Sequence, residues 1–280
     1  LIPNEIKYVI PIERLIKNNN TFDVLKYDFK NTYIRTKGHI FKKNQKIKAK
    51  KEFLSLKDLI TIKSINKLNV KVQSKLRFKI IATGSEFTSN HFINPTNSDY
   101  IEKTIIKYGQ IVDKNVHIKD NQKLIVQEIN NSKSDITIII GGTGKSEDDI
   151  KFNNYKLKIN GLDLKPGRPF KFFSKSNKLY LFFPGNPCSS FVLTNILLKS
   201  IINKYCFGND RLEKVTFDIK DIRYNFKKLV RKTFLFGNIK NKNLTILKNQ
   251  ESSNISNFLN SNCLVYYDKS KEIKIFKIND

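Results

Sequence analysis

The sequence contains no methionine and no tryptophan, and only three cysteines, Cys188, Cys206 and Cys263. An odd, widely spaced set with no CxxC pair and no Cys/His cluster argues against a disulfide framework and a structural zinc site. It favours a reducing compartment, so a cytoplasmic location is expected. Long apolar runs are also lacking. None approaches the roughly 20 residues that a membrane helix needs, and the main ones, Ile136–Ile140 and Leu179–Phe183, are strand-sized. No membrane partner is expected. No secretory signal is visible at the start. The chain opens on Leu1, which leaves open both a fragment and a chain whose beginning has been removed. Acidic residues are scarce: 25 Asp and Glu stand against 52 Lys and Arg, a formal net charge of +27. Nucleic-acid binding is one reading of that excess. The other is compositional, because Lys, Asn and Ile recur through loops and strand flanks without forming one stripe. The second reading is preferred, so no specific nucleic-acid partner is expected. The field would still attract a phosphate-bearing substrate.

The hydrophobic fraction of 39% is enough for packed cores, and 280 residues give room for one large domain or two to three small ones. Three textures separate. Residues 1–73 read as a β-rich region, with short strands over Tyr27–Ile40 and Gln45–Ala49 and one short helix over Leu54–Leu59. Residues 74–211 alternate strand and helix. Strands are expected at Phe78–Ala82, Ile111–Ile118, Ile136–Ile140 and Leu179–Phe183. Helices are expected at Ser98–Tyr108, Asn121–Asn130 and Ser189–Tyr205. Residues 212–280 turn β-like again, with five strand-length segments that suggest a small sandwich or barrel. The predicted class is α/β: a central, doubly wound, mostly parallel sheet covered on both faces and flanked by smaller β domains. Ligands of such sheets bind beyond the carboxyl ends of the strands.

Several central strands run into special loops. The first is Ala82-Thr83-Gly84-Ser85-Glu86, where glycine lets backbone approach a ligand. Glu86 is there either a metal-holding carboxylate or a solvated loop acid. The second, Gly141-Gly142-Thr143-Gly144, makes a backbone amide cradle for an anion. It is not a P-loop, because position 139 is Ile where that motif needs Gly. Glu147, Asp148 and Asp149 follow. They form either one side of a magnesium bridge to phosphate or an exposed acidic helix start. The third feature is a pair of stiff loops, Lys165-Pro166-Gly167-Arg168-Pro169 and Phe183-Pro184-Gly185-Asn186-Pro187-Cys188-Ser189-Ser190. In the first, Lys165 and Arg168 sit on proline-restricted backbone and suit oxyanions. The second leads into a helix with Ser189 or Ser190 as expected N-cap, a candidate anion site. Both loops could equally be structural turns.

Taken together these segments resemble the molybdopterin molybdenumtransferase family, the MoeA and gephyrin E-domain proteins. The family pattern T-G-[DS]-E-[LF] is met by Thr83 to Phe87, and I-x-D-S-N by Ile93 to Asn97 with Pro95 in place of the aspartate. S-G-G-x-S-x-G-x-x-D is met by Gly141 to Asp149, although Gly144, Lys145 and Ser146 depart from it. K-P-G-[KR]-P is met by Lys165 to Pro169, and P-G-N-P-x-S by Pro184 to Ser189. Val9 to Glu13, Arg35 with Gly38, and Arg231 to Gly237 resemble flanking elements of the family. Its D-G-Y-A segment has no counterpart here.

The resemblance implies a central molybdopterin-binding domain and molybdenum cofactor biosynthesis. Molybdate is inserted into adenylylated molybdopterin with release of AMP, in the presence of magnesium or another divalent cation. By position, Glu86 and Asp149 would handle the metal, and Lys165 and Arg168 would bind oxyanions, these four being the catalytic candidates. The pterin substrate would be held by Thr83, Gly84, Ser85, Asn97, Gly141, Gly142, Thr143, Gly144, Pro166, Gly167, Pro184, Gly185, Asn186, Pro187 and Ser189. A homodimer is implied, with a molybdopterin adenylyltransferase as a further partner. Two rivals are kept. Gly141 to Gly144 also resembles the adenylyltransferases themselves, and one branch of the family suggests a catalytically impaired molybdopterin-binding scaffold.

Overall fold

The computed structural model describes residues 3, 5–25, 30–46, 53–67, 69–84, 94–142, 155–210, 212–218, 222–241, 243–270 and 272–278. The chain divides into two compact units, Leu1–Asp58 and Leu59–Asp280.

In the first unit, a 3-10 turn at Ile12–Arg14 leads into an antiparallel hairpin of β1 (Leu15–Asn18) and β2 (Thr21–Val24). The strands expected over Tyr27–Ile40 and Gln45–Ala49 are not found among the described residues of those ranges, which run as turns and bends. Residues 26–29 and 47–50 lie outside the described residues. The regular pairing falls upstream because Asn18-Asn19-Asn20 supplies the turn, with Asn19 at φ +49°. The short helix exists as α1 (Leu56–Ser64), and the Ser55 amide and hydroxyl both bond the Asp58 carboxylate, each at 2.7 Å. The boundary between the units falls inside α1.

The second unit is built on a six-stranded sheet. Its strands are β3 (Arg77–Thr83), β4 (Ile111–Ile118), β5 (Ile136–Ile140), β6 (Ile159–Asn160), β7 (Lys171–Lys175) and β8 (Lys178–Phe183), in the order β4-β3-β5-β8-β7-β6. The first four are parallel, and β7 and β6 add an antiparallel edge. The chain crosses from β3 to β4 through α2 (Thr96–Lys107) and returns from β4 to β5 through α3 (Gln122–Asn130). Ile101 and Ile105 of α2 pack with Phe78, Ile80, Ile138, Leu181 and Phe183 on one face. Ile125 and Ile129 of α3 pack with Ile81, Ile139, Phe173, Tyr180 and Phe182 on the other. Both faces of the sheet are thus covered, which is why Ile136–Ile140 is buried at every position. Strand order reverses between β3 and β5, with β4 beyond one and β8 beyond the other. That switch point opens a crevice at the carboxyl ends of these strands.

The helix after β8 begins at Pro187. It runs through α4 (Pro187–Leu193), a π-helical segment (Thr194–Leu198) and α5 (Lys199–Phe207), ending on Gly208 in the left-handed region. Beyond it, β9 (Lys214–Asp218), β10 (Thr233–Lys240), β11 (Asn243–Ile246), β12 (Cys263–Tyr267) and β13 (Glu272–Lys277) form one antiparallel sheet in the order β11-β10-β12-β13-β9, with α6 (Ser256–Asn260) before β12. Where a sandwich or barrel was expected, no pairing joins the edge strands β11 and β9 among the described residues. One face of this sheet, through Phe234, Phe236 and Leu264, packs on Cys188, Phe191 and Val192 of α4. Among the described residues, no helix is long and apolar enough to cross a membrane.

Candidate functional site

The crevice at the switch point is a cleft of about 410 Å³. Its walls are the ends of β3 and β5 at Thr83 and Ile140, the first turn of α2 from Pro95 to Ser98, and Gly185 with Pro187 after β8. The loops meet closely. A Cβ on Gly141 would lie 2.7 Å from the Thr83 carbonyl oxygen and 2.8 Å from Thr83 Oγ1, and Gly141 sits at φ +91°. Only glycine fits that position without movement. A Cβ on Gly185 would in turn reach the Gly141 Cα at 3.5 Å. The ladders extend one residue past the strands: the Gly84 amide donates to Ile118 at 3.1 Å and the Gly141 amide to Phe183 at 3.0 Å. Asn97 Nδ2 closes the rim by donating to the Gly185 carbonyl at 2.7 Å.

Thr83 Oγ1 is the chemically informative atom. Thr83 is 6% exposed and lines the cleft, yet its hydroxyl has no hydrogen-bond partner among the described residues. A buried hydroxyl left unpaired costs about 1–3 kcal/mol. Such atoms are rare in folded proteins and mark strain or a missing ligand group. Nearby, Ser98 Oγ donates to the Pro95 carbonyl at 2.9 Å and lies 3.0 Å from His117 Nε2. A hydroxyl has one proton, so the imidazole Nε2–H is the donor there. His117 on β4 thereby steadies the turn of α2 that faces the cleft.

The loop of Pro184 to Ser190 departs from expectation in an instructive way. Its N-cap is Asn186, whose side chain accepts from the Ser189 amide at 3.3 Å, rather than Ser189 or Ser190. Pro187 has no amide hydrogen, the Cys188 amide donates to the Ser252 carbonyl at 3.2 Å, and the Ser190 amide donates to the Asn186 carbonyl at 3.1 Å. Every first-turn donor of α4 is consumed, so the helix end expected to bind an anion has none to offer. Ser190 Oγ holds the Pro184 carbonyl at 2.7 Å, and Asn186 Nδ2 reaches Ser252 at 3.1 Å. Pro184, Asn186 and Ser189 therefore stiffen the loop, while Gly185 and Pro187 face the cleft. Cys188, also in that first turn, is no nucleophile: burial pushes its thiol up to about 11, outweighing a hydrogen bond with Asn257. The open helix end at the cleft is that of α2, where Pro95 occupies the cap position and supplies no side-chain hydrogen bond.

Lys165 and Arg168 lie elsewhere. Both are exposed, neither lines the cleft, and neither side chain bonds a described residue. Their loop is anchored to β10: the Lys165 amide donates to Lys232 at 2.9 Å, and the Phe234 amide donates to Lys165 at 2.7 Å. Pro166 follows a cis peptide, and Gly167 is buried at φ +119° beside Leu193. Gly142 is half-buried at φ +57°. Ser85, Glu86, Thr143, Gly144 and Asp149 lie outside the described residues. Of the predicted site residues, the structure therefore gathers Thr83, Asn97, Gly141, Gly185 and Pro187. Thr96 and Ser98 were missed, because the apolar spacing of Ile101, Ile105 and Tyr108 points to the helix but not to its first turn.

Residues 79–204 match the family model described as "probable molybdopterin binding domain". A protein of Methanocaldococcus jannaschii named for molybdopterin biosynthesis is 25% identical over 223 residues, covering 71% of this chain and 54% of its own length. The chain thus spans about half the length of that curated relative. Two crystal structures of the molybdopterin biosynthesis MoeA protein from Pyrococcus horikoshii share the fold. One has a TM-score of 0.68 at 23% identity over 97% of this chain, the other 0.72 at 18% over 98%, and each is covered to 72%. Residues 79–204, which include every described residue lining the cleft, match the molybdopterin-binding domain family, in a chain with the fold of the MoeA proteins.

Proposed function

We propose that the cleft binds molybdopterin and that the protein inserts molybdate into its adenylylated form, with release of AMP. The observation that carries this reading is the Thr83 hydroxyl, unpartnered among the described residues and buried in a cleft at the switch point of a domain that matches a molybdopterin-binding family. A polar ligand group in the cleft would pair it. Gly141 and Gly185, without side chains, let the loops after β3, β5 and β8 close on one another around the cleft, and the first turn of α2 offers positive potential to a phosphate. Exposed, and bonded to no described side chain, Lys165 and Arg168 are assigned to oxyanion binding, molybdate included, by the family pattern.

Cleavage of a phosphoanhydride calls for neutralisation of developing charge. A divalent cation such as magnesium would supply it when held by Glu86 and Asp149. No group of three or more His, Cys, Asp or Glu among the described residues could hold a metal ion. Those two carboxylates are assigned by the family pattern alone. A homodimer is part of the proposal. Its support is exposed apolar side chains of the first unit that a second copy would cover, with Ile12 75% exposed and Leu56 79%.

The test supplies purified protein with adenylylated molybdopterin, molybdate and magnesium, and measures AMP. Molybdate-dependent AMP release is expected. Pterin binding without AMP release under any of these conditions would reduce the protein to a binding module. Absence of pterin binding would remove the reading altogether.

A further inference from the structure

A second cavity lies at the opposite end of the sheet from the cleft. It has a volume of about 610 Å³ and sits between one side of α3, from Gln122 to Asn130, and the β7–β8 hairpin, beside Ser132, which precedes β5. Its described lining contains Lys156, Lys175 and Lys178 and no acidic residue. The hairpin turns on Ser176 and Asn177, both in the left-handed region at φ +49° and +61°, as a tight two-residue turn requires. That turn places Lys175 directly opposite Lys178. Side chains alternate along a strand, so Lys175 shares a face with Phe173, and Lys178 with Tyr180. Phe173 and Tyr180 stack at 4.5 Å on the face covered by α3. The two ammonium groups therefore project on one face, toward the cavity, and like charges directly opposite in a hairpin destabilise it. Lys178 is held there by donating to the Ser132 carbonyl at 2.7 Å. Glu128, an acid on α3, is committed to Lys79 at 2.5 Å.

The geometry points to an anion-binding site of its own, independent of the molybdopterin cleft, whose occupant is a nucleotide-sized phosphate ester. With no acid among the described lining residues, the lysines around a concave wall focus positive potential on it. The apolar walls from Val126, Ile129, Phe173 and Tyr180 suit the ring of such a ligand, and the volume falls in the range of small-molecule sites. The phosphate would separate the two lysines that the hairpin forces together.

The test titrates ADP, adenosine and inorganic phosphate into the full chain by calorimetry, for the native protein, for Lys175→Ala, and for Lys175→Ala combined with Lys156→Ala. Both side chains are exposed, so the variants keep the fold. ADP is expected to bind, more weakly as salt rises, and to lose about tenfold in affinity per lysine removed. Lys175→Ala is expected to raise the thermal midpoint of the free protein at the same time, a readout that needs no ligand. Absence of ADP binding overturns the site, as does ADP binding that the lysine variants leave unchanged. Adenosine matching ADP overturns the role of charge, and phosphate matching ADP overturns the role of the apolar walls. Molybdate-dependent AMP release in the Lys175→Ala variant is expected to be native, so failure here and failure of the cleft are separable.

Discussion

Replacing Thr83 by Val tests the cleft with two effects of opposite sign. Valine keeps the branched shape of threonine and removes only the hydroxyl. In the free protein that hydroxyl is buried and unpaired among the described residues. Its removal relieves a cost of about 1–3 kcal/mol, and valine is also at home in a buried strand such as β3, where six of seven positions are buried. The expected gain in unfolding free energy is about 1 kcal/mol or more. In the complex the same hydroxyl pairs with a polar ligand group, a bond of about 0.5–1.5 kcal/mol, so molybdopterin affinity falls up to roughly tenfold. Denaturant titration reads the first effect and pterin binding by fluorescence reads the second. A variant that is less stable would show that Oγ1 has a structural partner. Unchanged affinity would show that the hydroxyl does not meet the ligand. Either result refutes the reasoning.

Gly141→Ala forces a Cβ to 2.7 Å from the Thr83 carbonyl, whereas Gly109→Ala, at φ +72°, meets nothing within 4 Å. The second is expected to cost about 1 kcal/mol of conformational strain and the first about 2–4, through strain plus displaced backbone. Equal denaturation midpoints would deny the close approach of the two loops. Lys79 is 5% exposed, with Nζ bonded to the Glu128 carboxylate at 2.5 Å and to its carbonyl at 2.9 Å. Lys79→Ala is expected to cost about 3 kcal/mol, and Lys79→Met less, because it keeps the packed stem and lacks only the ammonium. Burial pushes the thiols of Cys188 and Cys263 up to about 11 and about 12 from an ordinary value of 9.0. Both folded values are raised, so this stability is fully present below pH 9 and is lost as pH climbs toward 11–12. The alkaline loss measured by urea titration should shrink in Cys263→Ala, and neither thiol should alkylate at neutral pH before unfolding.

The central sheet was legible because burial on both faces leaves a plain trace. Ile136–Ile140, apolar except for Thr137, and Leu179–Phe183 are largely apolar runs that end in glycine-containing loops. β7 was not foreseen, since Lys-Phe-Phe-Ser-Lys carries charge at both ends and pairs antiparallel toward the edge of the sheet. The N-cap of α4 was misassigned because Asn186, Ser189 and Ser190 are all good cap formers. The choice is made by Pro187, which fits the first helical position and fixes the start two residues before the expected Ser189. The upstream hairpin was overlooked because its strands bury almost nothing, so no alternating pattern marks them. Within the site, glycines and Thr83 could be found from sequence, because close backbone approach demands particular residue types. The first turn of α2 could not, because its contribution is backbone dipole and depends on where the helix begins.

That last point bears on how the site attracts an anion. Three helices of the α/β region have described starts, and two are closed. Asn121 accepts from the Lys123 and Leu124 amides at 3.0 and 3.2 Å, closing α3. Asn186, Ser252 and a proline close α4. At α2, with Pro95 at its cap, no described side chain accepts from the first turn, although the Thr96 amide donates to the Asn94 carbonyl at 2.8 Å, and that turn forms a wall of the cleft. The dipole of a twelve-residue helix is fully developed at its end. Among the described residues, positive potential in the cleft thus comes from backbone, since no lysine or arginine lines it. Lys165 and Arg168 are exposed and lie off its wall. Their charge is screened by salt within about a Debye length, whereas a dipole end lining the cleft acts at contact. The excess of lysine and the affinity of the cleft are therefore separable properties of this chain, and raising ionic strength should weaken approach of a phosphate-bearing ligand more than its retention.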